Sequence, residues 1–424
     1  MINVTDDCTH SVVIIGGGVI GLTVAQSLQT RGRSVTVLDA AVGSRQASRG
    51  NAGQIAPGHP PVPSPAVPPK AISMLLDRRS PLYIPPRPSL ALARWLTAFR
   101  KACRPAHYEH AMRTLGAMSH NSRAGFDRLA DVIGTPGLLH PNGVADFWNS
   151  AQGHQDAMEE TRWMERLGFE VESVSGDALR QRDAAWSDSV RGAVIHKAGI
   201  LVDPAEWMDA LRAHIQRLGV SIRHVQPVTT LTWSAGQWNL STECGQQITA
   251  SNIVLCAGTW STPLAAQVGL QLNIQPAKGY HAMVRMQQPP TMAGVLREPK
   301  IAVTPLGQTV RLAGTLELSG WNHRMVEARL AQLVQGTTPF LPTARTGVIE
   351  STWCGLRPCT ADGLPVVGRL PGTDCGWIAT GHGMMGVTLA PATAEVIAAD
   401  MCGEPLPDWA SAIQPERNQA VLAR

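Results

Sequence analysis

Residues 12–21 read VVIIGGGVIG, an apolar run that breaks into glycines with the spacing G-x-G-x-x-G. Gly16 permits a tight turn, Gly18 lets the backbone approach a pyrophosphate, and Gly21 lets the following helix pack against the strand. The amino terminus of that helix offers unpaired N–H groups and partial positive charge to an anion. The stretch therefore predicts a strand, a phosphate-binding turn and a helix.

A second strand follows this helix and ends in an acid. It spans residues 34–38, and Asp39 comes directly after it. A carboxylate about 20 residues beyond the glycine turn is placed to accept ribose hydroxyls. Strand, turn, helix, strand and acid in this order predict dinucleotide binding, with an ordinary βαβ turn as the alternative. The acid argues against a 2′-phosphate, but the motif does not choose between FAD and NAD.

Length and composition bound the class of protein. A chain of 424 residues with 44% hydrophobic and 16% charged residues fits two or three globular domains. The net charge of +4 is small and scattered, so we expect no nucleic-acid binding. We find neither a run of about 20 apolar residues nor a basic leader, so we expect no membrane span, no signal peptide and a cytoplasmic location.

The eight cysteines form no C-x-x-C pair, which argues against a zinc ribbon or a thioredoxin-type site. Unpaired thiols fit a reducing compartment, and Cys256 lies in an apolar strand where we expect a buried free thiol. Cys354 and Cys359, with Cys375 beyond them, leave a metal or cluster site open as the lesser alternative. We expect no metal.

The middle of the chain begins with a proline-rich segment, residues 57–88, which reads as an extended surface loop with a short helix over 70–78. It is either a connection between domains or a cover over a ligand site or contact surface. Apolar spacing then predicts helices over 89–101, 105–133, 155–167 and 204–218. The predicted strands cover 220–225, 229–233, 237–242, 248–256, 280–286 and 310–314.

The last quarter returns to glycine-rich sequence. A short strand at 376–380 enters the turn GHGMMG at 381–386, and residues 387–401 read as an apolar helix. Thr388 is a plausible N-cap of that helix, and Pro391 is tolerated if it lies in the first turn. Glycine turns near both ends of the chain indicate one large cofactor held by distant segments.

With these motifs identified, the chain resembles the D-amino-acid oxidase superfamily of FAD enzymes, and within it the bacterial D-amino-acid dehydrogenases. The similarity covers nearly the whole chain. Segments 51–58 and 314–320 are the most typical of the dehydrogenase branch, whereas 389–393 is similar to glycine oxidases. The segments that carry the resemblance are GNAGQIAPG at 50–58, CAGTWS at 256–261, KGY at 278–280, GTLELSG at 314–320, GLRP at 355–358 and TGHG at 380–383.

The resemblance implies an α/β fold with an α+β second domain: a Rossmann-like FAD-binding domain and a mixed-sheet substrate domain of the D-amino-acid oxidase type. We expect the FAD-binding domain over 10–60, 190–265 and 345–408, and the substrate-binding domain over 61–189 and 266–344. The implied cofactor is non-covalent FAD. Its expected contacts are Gly16, Gly18, Val19, Ile20, Gly21, Asp39, Ala40, Asn51, Ala52, Gly53, Gln54, Ile55, Val228, Ala257, Gly258, Trp260, Arg357, Gly383, Met384, Met385, Gly386, Val387 and Thr388.

These contacts have different expected roles. The first glycine turn would hold the pyrophosphate and Asp39 the ribose, while residues 50–54 would pass the flavin ring because small residues allow close approach. Backbone N–H groups of residues 383–387 would face the negative charge of reduced flavin. Val228 would either pair with the adenine edge through its backbone or pack in the core. Ser48 and Arg49 would contact the phosphate or the flavin ring, with a solvated arginine as the alternative.

Three residues are the predicted catalytic set. Arg357 would grip the substrate carboxylate through two parallel hydrogen bonds, as the arginine of this segment does in related oxidases, with a structural ion pair as the alternative. Tyr280 would either contact the substrate carboxylate or serve only in packing. His382 would either act as a general base or only form a backbone hydrogen bond. Glycine oxidases carry a second arginine where this chain has Met384 and Met385, which argues against glycine as substrate and for an apolar pocket.

The resemblance implies oxidation of a neutral, small or cyclic D-amino acid by hydride transfer from Cα to flavin N5, after which the imine hydrolyses. Residues 315–318 lack the lysine that promotes oxygen reactivity in some oxidases. We therefore expect a dehydrogenase that passes electrons to a quinone or a partner protein, with peripheral membrane contact through the proline-rich loop. The alternatives are an O2-using oxidase and the FAD subunit of a hetero-oligomeric (hydroxy)proline or hydrogen-cyanide-forming dehydrogenase. The oligomeric state stays open.

Overall fold

The protein was analysed as a computed structural model that describes residues 2–3, 11–40, 46–69, 80–85 and 89–417. The helices are α1 (Val19–Thr30), α2 (Leu90–Ala102), α3 (Pro105–Ile133), α4 (Ala151–Arg166), α5 (Gly176–Arg182), α6 (Pro204–Arg217), α7 (Ser261–Gln267), α8 (Glu327–Thr337) and α9 (Gly386–Cys402). The strands are β1 (Ile2–Asn3), β2 (Ser11–Ile15), β3 (Ser34–Asp39), β4 (Gln54–Ile55), β5 (Leu82–Tyr83), β6 (Val144–Trp148), β7 (Val171–Ser175), β8 (Gly192–His196), β9 (Ile200–Leu201), β10 (Ser221–His224), β11 (Val228–Ser234), β12 (Gln237–Thr242), β13 (Gln247–Ala250), β14 (Asn252–Leu255), β15 (Ile274–Arg285), β16 (Ala293–Leu296), β17 (Ile301–Leu306), β18 (Thr309–Glu317), β19 (Val348–Thr360), β20 (Val366–Arg369) and β21 (Gly376–Thr380).

A six-stranded sheet carries the glycine turn. Its order is β10-β3-β2-β14-β21-β20, and the pairs from β10 to β21 are parallel. The chain order reverses between β2 and β14, and open α/β sheets bind ligands in the crevice at such a point. Gly16 leaves β2 there with φ +118°, and an ideal Cβ on it would lie 2.4 Å from the carbonyl oxygen of Cys256. An ideal Cβ on Gly21 would lie 2.0 Å from the Gly16 oxygen, so strand, turn and helix pack as predicted.

Helices cover one face of this sheet and a second sheet covers the other. Helices α1, α3, α6 and α9 share one apolar core with β2 and β3. The four-stranded sheet β1-β13-β12-β11 packs on the opposite face. Residues 248–256, predicted as one strand, form the separate strands β13 and β14 in different sheets. The prediction was wrong because an apolar run has no feature that marks where a chain changes sheets.

The nine-stranded sheet forms the second half of the molecule. Its order is β19-β15-β18-β17-β16-β6-β8-β7, with β5 beside β18. One face packs on the core that includes Phe147, Trp186 and Phe340 together with α8. Strands β8 and β19 belong to this sheet, although we expected residues 190–265 and 345–408 in the FAD-binding domain. Membership of a sheet does not by itself set a domain boundary, so the division into an FAD-binding and a substrate-binding domain stays a prediction.

The long helices agree with the sequence predictions, but the start of α9 does not. The N-cap of α9 is Met385, so Thr388 lies inside the first turn and is not the cap. Pro391 is the sixth residue of the helix, in its second turn, where it packs against Gly125: an ideal Cβ on that glycine would lie 2.5 Å from the proline ring. The short helix predicted over 70–78 falls outside the described residues. Among the described helices, none combines the length and apolar character of a bilayer-spanning segment.

Candidate active site

The glycine turn and the end of β3 form the first part of the site. Ser48 Oγ accepts a hydrogen bond from Val19 N (3.1 Å) at the amino terminus of α1. The Asp39 carboxylate is buried and lies against Gly17, whose ideal Cβ would come within 2.5 Å of it. Arg212 Nη2 donates to Asp39 Oδ2 (2.8 Å). The carboxylate expected to accept ribose hydroxyls is therefore held in place beside the turn.

A cavity of about 760 Å³ opens beside Asp39, with walls from both large sheets. Its volume lies within the roughly 300–1,000 Å³ typical of cofactor sites. Each of the three arginines that line it forms an ion pair with an aspartate: Arg49 with Asp209, Arg212 with Asp39 and Arg311 with Asp203. The cavity is therefore polar, and its guanidinium groups have further N–H donors for a ligand such as a pyrophosphate-containing dinucleotide. The lining residues are Asp39, Gln46, Arg49, Ala205, Arg212, His224, His281, Met283, Arg311, Ser351 and Trp353.

The segment 50–55 joins the two halves of the molecule. Asn51 O accepts a hydrogen bond from Arg311 Nη1 (2.9 Å), and Asn51 Nδ2 donates to Met384 O (3.3 Å). Gln54 Nε2 donates to one main-chain carbonyl of β16 and one of β17, each at 2.9 Å. The bond from Asn51 to Met384 joins the two segments that we predicted to lie beside the flavin, 50–54 and 383–387. The Gln54 amide nitrogen therefore bonds to the nine-stranded sheet and not to a ligand.

Two aromatic residues that sequence reasoning missed cover this segment. The Trp353 ring lies over Gly50, where an ideal Cβ would come within 2.0 Å of the indole. His281 stacks on Trp353 with ring centroids 5.2 Å apart, and its Nδ1 lies 3.1 Å from Gly50 O. Burial, aided by the nearby Arg311 charge, lowers the pKa of His281 to about 4. The imidazole is therefore neutral at physiological pH.

The carboxyl-terminal glycine turn lies directly against β19. Gly383 N donates to Pro358 O (2.9 Å), so the residue after Arg357 is bonded to the turn. Helix α9 then starts at Gly386, with Val387 and Thr388 in its first turn. First-turn N–H groups lack intrahelical acceptors and carry partial positive charge, which suits an electron-rich group at this position.

His382 hydrogen-bonds into the packed interior of α9, and it also lines the small cavity beside the carboxyl-terminal glycine turn. Its Nε2 lies 2.9 Å from Thr393 Oγ1, in the packed interior of α9. Burial lowers the pKa of His382 to about 3, so the ring is neutral and a weak base. The alternative to the general base is a backbone hydrogen bond, whereas the structure shows a bond to the Thr393 side-chain hydroxyl. The general-base role of His382 stays a prediction.

Arg357 is a half-buried guanidinium at the centre of this arrangement. It projects over Gly279, whose ideal Cβ would lie 2.0 Å from Arg357 Nη1, and it donates to Thr315 O (2.8 Å). No Asp or Glu in the described part of the chain forms an ion pair with it, and burial lowers its pKa. A half-buried guanidinium with no carboxylate partner favours an anionic ligand group, because removing a charge from water is costly unless it is paired.

Tyr280 lies on the other face of the sheet. In the antiparallel pairing of β15 with β19, Tyr280 pairs with Cys354, whereas Ala277 pairs with Arg357. Since successive strand residues alternate between faces, Tyr280 and Arg357 point to opposite sides. Tyr280 is wholly buried and donates to Glu317 Oε2 (2.8 Å). The structure does not bring this hydroxyl to the carboxylate site.

The other predicted FAD contacts lie partly at the end of β14, beside the crevice, and partly in the surrounding structure. Ala257 and Gly258 follow β14, and the Gly258 carbonyl accepts from Thr380 Oγ1 (2.8 Å). Trp260 stands near His323, with ring centroids 6.1 Å apart. Val228 begins β11 and packs partly against the core, so its adenine contact stays a prediction.

The cysteine side chains near Arg357 do not form a cluster. Cys354 faces the core beneath the nine-stranded sheet, while Cys359 lies beside Arg357 on the opposite face of β19. Within the described ranges, no group of three or more His, Cys, Asp or Glu side chains is arranged to hold a metal ion. The geometry therefore gives no support to the metal or cluster alternative.

A small apolar cavity adjoins the carboxyl-terminal turn. Its volume is about 30 Å³, and the described residues that line it include none with a formal charge. The proline-rich segment supplies part of its wall through residues 60–62, which favours the interpretation of that segment as a cover. Apolar side chains dominate the rest of the wall: Trp95, Phe99, Leu115, Leu316, Met384 and Met385.

Comparisons with known proteins agree with this geometry. Residues 11–400 match the family described as FAD dependent oxidoreductase (DAO). D-amino acid dehydrogenases of Cereibacter sphaeroides and Methylobacterium nodulans are each 30% identical to the chain, over 91% of its length and over 90% and 94% of their own. The glycine oxidase of Bacillus cereus superposes with a TM-score of 0.74 at 21% identity, covering 94% of this chain and 96% of that one. The L-proline dehydrogenase of P. horikoshii gives 0.72 at 15% identity, covering 97% and 98%.

Proposed function

Because this chain belongs to the DAO family of FAD-dependent oxidoreductases, we propose that it oxidises a D-amino acid to the corresponding imino acid as a dehydrogenase. Hydride would leave Cα of the substrate, and the imine would hydrolyse afterwards. Bound FAD would supply the two-electron acceptor. The relatives named D-amino acid dehydrogenase support the choice of substrate class.

One observation carries the proposal: the half-buried Arg357 guanidinium that no described carboxylate neutralises. An α-amino acid brings the missing carboxylate, and a planar guanidinium accepts it in a bidentate pair. The bond from Gly383 N to Pro358 O holds this strand against the turn that opens α9. The protein would thus fix the substrate by its acid group and leave Cα exposed to the cofactor.

The walls near Arg357 support a small, neutral side chain. The uncharged 30 Å³ cavity beside Cys359 lies on the same face of β19 as Arg357. A charged substrate side chain would lose its hydration there without gaining a partner. We therefore propose a neutral or cyclic D-amino acid as the substrate.

A second feature supports the proposed electron acceptor. Lys278 is the cross-strand partner of Glu317 in segment 315–318, and it forms an ion pair with Glu317 (3.0 Å) on the face of the sheet opposite Arg357. An ammonium directed away from the reaction side gives no support to the oxygen-using alternative. We propose that electrons pass to a quinone or a redox partner protein.

The test of this function compares two electron acceptors, an artificial dye and molecular oxygen. With a neutral D-amino acid, the holoenzyme should reduce an artificial dye without oxygen and release little peroxide under air. The L-enantiomer should leave the flavin absorbance unchanged. Stoichiometric peroxide would instead identify an oxidase, and a purified chain that bleaches with substrate but reduces no dye would favour the partner-subunit alternative.

Helix α2 supplies a surface that fits a membrane-borne quinone pool. From Arg78 to Tyr108, both included, the sequence has seven Arg and Lys residues and no Asp or Glu. Arg94 and Arg100 are exposed on α2, and Leu90 at its start is 80% exposed. Basic residues beside exposed apolar ones are typical of contact with anionic lipid. We propose peripheral contact through this helix, whose Trp95 and Phe99 also line the small cavity.

Replacing two of these basic residues by glutamate should show whether α2 itself binds the membrane surface. In the double variant Arg94→Glu/Arg100→Glu, partitioning onto phosphatidylglycerol vesicles should fall at least ~10-fold, since each basic residue near such a surface contributes about 1 kcal/mol. Cosedimentation measures it, and Arg217→Glu on α6 is the matched control. Equal binding to phosphatidylcholine vesicles, or an unaffected double variant, would argue against the contact.

A further inference from the structure

The Arg357 guanidinium contacts two neighbouring strands. Gly279 of β15 leaves the space beneath it, and Thr315 of β18 supplies the carbonyl that accepts from Nη1 at 2.8 Å. Both come from motifs, KGY and GTLELSG, whose other residues have no role in binding so far. The direction of the guanidinium therefore depends on how β15 and β18 pair at this point.

The pairing is irregular there. Lys278 pairs with Glu317, but Tyr280 pairs with Gly314, so one residue of β15 faces two of β18. This is a β-bulge, which re-aims the backbone groups of the bulged strand. Thr315, in the bulge, has φ +66°. A β-branched residue avoids this left-handed region, so the surrounding structure must hold the bulge against that preference.

A buried polar clamp spans the bulge on the opposite face. The Glu317 carboxylate accepts from Tyr280 Oη (2.8 Å) and pairs with Lys278 Nζ (3.0 Å). Lys278 and Tyr280 flank Gly279 on β15, while Glu317 follows the bulge on β18. Lys278 and Tyr280 are wholly buried, and Glu317 is 5% exposed.

A buried ion pair of this kind has a specific use. Compared with well-packed apolar residues it contributes little net stability, because desolvation of the charges offsets their attraction. It does fix register, since a slip of either strand would leave a buried charge unpaired. The clamp therefore opposes the one rearrangement that would relieve Thr315, namely loss of the bulge.

We propose that Glu317 and Tyr280 are positioning residues for Arg357: from the back of the sheet they hold the Thr315 bulge, whose carbonyl aims the guanidinium at the substrate carboxylate. The inference rests on the carboxylate-binding role of Arg357 given above. It assigns one physical task to the KGY and GTLELSG segments together. Neither positioning residue touches the substrate.

The test measures carboxylate affinity separately from folding and cofactor content. In holoenzyme, Glu317→Gln should raise the Kd of propionate, a carboxylate without an amine, by roughly 10-fold or more, and Tyr280→Phe by about 3-fold to 10-fold. Calorimetry of propionate binding gives the Kd. The limiting rate of anaerobic flavin reduction at saturating substrate should change by less than about 2-fold, as expected when only ground-state positioning is lost.

A control variant, a second clamp variant and a rescue variant complete the test. Tyr108→Phe removes a hydroxyl from a tyrosine on α3, outside the sheet, and should leave the propionate Kd unchanged. Tyr280→Phe carries the test where Glu317→Gln yields too little folded protein. Adding Thr315→Gly to Tyr280→Phe should restore affinity, because glycine adopts φ +66° without strain while keeping the carbonyl.

Three outcomes would overturn the inference: a propionate Kd in both clamp variants that matches Tyr108→Phe, a loss of affinity that merely parallels loss of FAD and of melting temperature, or no recovery with Thr315→Gly. Arg357→Ala distinguishes this failure from failure of the proposed function. If Arg357→Ala weakens propionate binding but the clamp variants do not, only the positioning inference is wrong. If Arg357→Ala also leaves the Kd unchanged, the carboxylate-binding role is wrong.

Discussion

Replacing Arg357 by alanine should raise the Kd of the D-amino acid by roughly 10²-fold to 10³-fold, because truncating one partner of a buried, hydrogen-bonded charge pair costs about 2–5 kcal/mol. The substrate carboxylate would remain desolvated with no cation to meet it. The folded protein should tolerate the change, since the guanidinium has no carboxylate partner among the described residues. Anaerobic titration of flavin bleaching measures the Kd, and absorbance confirms that FAD is still bound.

Two further variants sharpen this result. Arg357→Lys keeps the charge but loses the planar fork, so its Kd should lie between those of the wild type and the alanine variant. Arg345→Ala removes an exposed arginine shortly before β19 and should change nothing. Wild-type substrate affinity in Arg357→Ala would show that the guanidinium has a structural role only, and it would remove the central support for the proposed function.

Substituting Gly16 by alanine should yield a largely colourless protein, with FAD affinity reduced by at least ~100-fold, equivalent to about 3 kcal/mol. Two effects combine at this position. The backbone has φ +118°, which L side chains rarely adopt, and a Cβ would lie 2.4 Å from the carbonyl oxygen of Cys256. Strand ends β2 and β14 must separate to admit it, which opens the phosphate-binding crevice. The FAD-to-protein absorbance ratio and the melting temperature report the outcome.

Gly32→Ala is the control for backbone strain without the clash. Gly32 also has a positive φ (+77°), but nothing lies within 4 Å of its ideal Cβ. It should keep FAD and lose only about 1 kcal/mol of stability. If both alanine variants bound FAD normally, the turn would not be the pyrophosphate site. If Gly32→Ala lost FAD as completely as Gly16→Ala, backbone strain rather than the close approach to Cys256 would be the cause.

Local sequence patterns predicted the parts of this protein that depend on neighbouring residues. The glycine spacing around Gly16 works through one turn between a strand and a helix, and the long helices follow from apolar periodicity within each segment. The family, the α/β fold class and the FAD cofactor inferred from the motifs are confirmed by the comparisons. Arg357 could be proposed as a site residue for the same reason, because GLRP is a contiguous motif, and its role in binding stays a prediction.

Other features had no local signal. Arg212, which holds Asp39, is distant from it in sequence and carries no motif. Trp353 and His281 cover Gly50 only because β19 and β15 pair in one register. Strand β19 itself was missed, since its first five residues are exposed and lack the alternation that marks a half-buried strand.

The sequence by itself determined the nucleotide-binding turn, the cofactor class and the candidate carboxylate-binding arginine, since each depends on residues adjacent along the chain. Only the tertiary structure decided which predicted side chains share a site. Tyr280 and Arg357 lie on opposite faces of one sheet, and His382 turns into the core toward Thr393. A shift of one residue in strand pairing reverses which face a side chain occupies, and pairing between distant strands is set by the packing of the whole sheet.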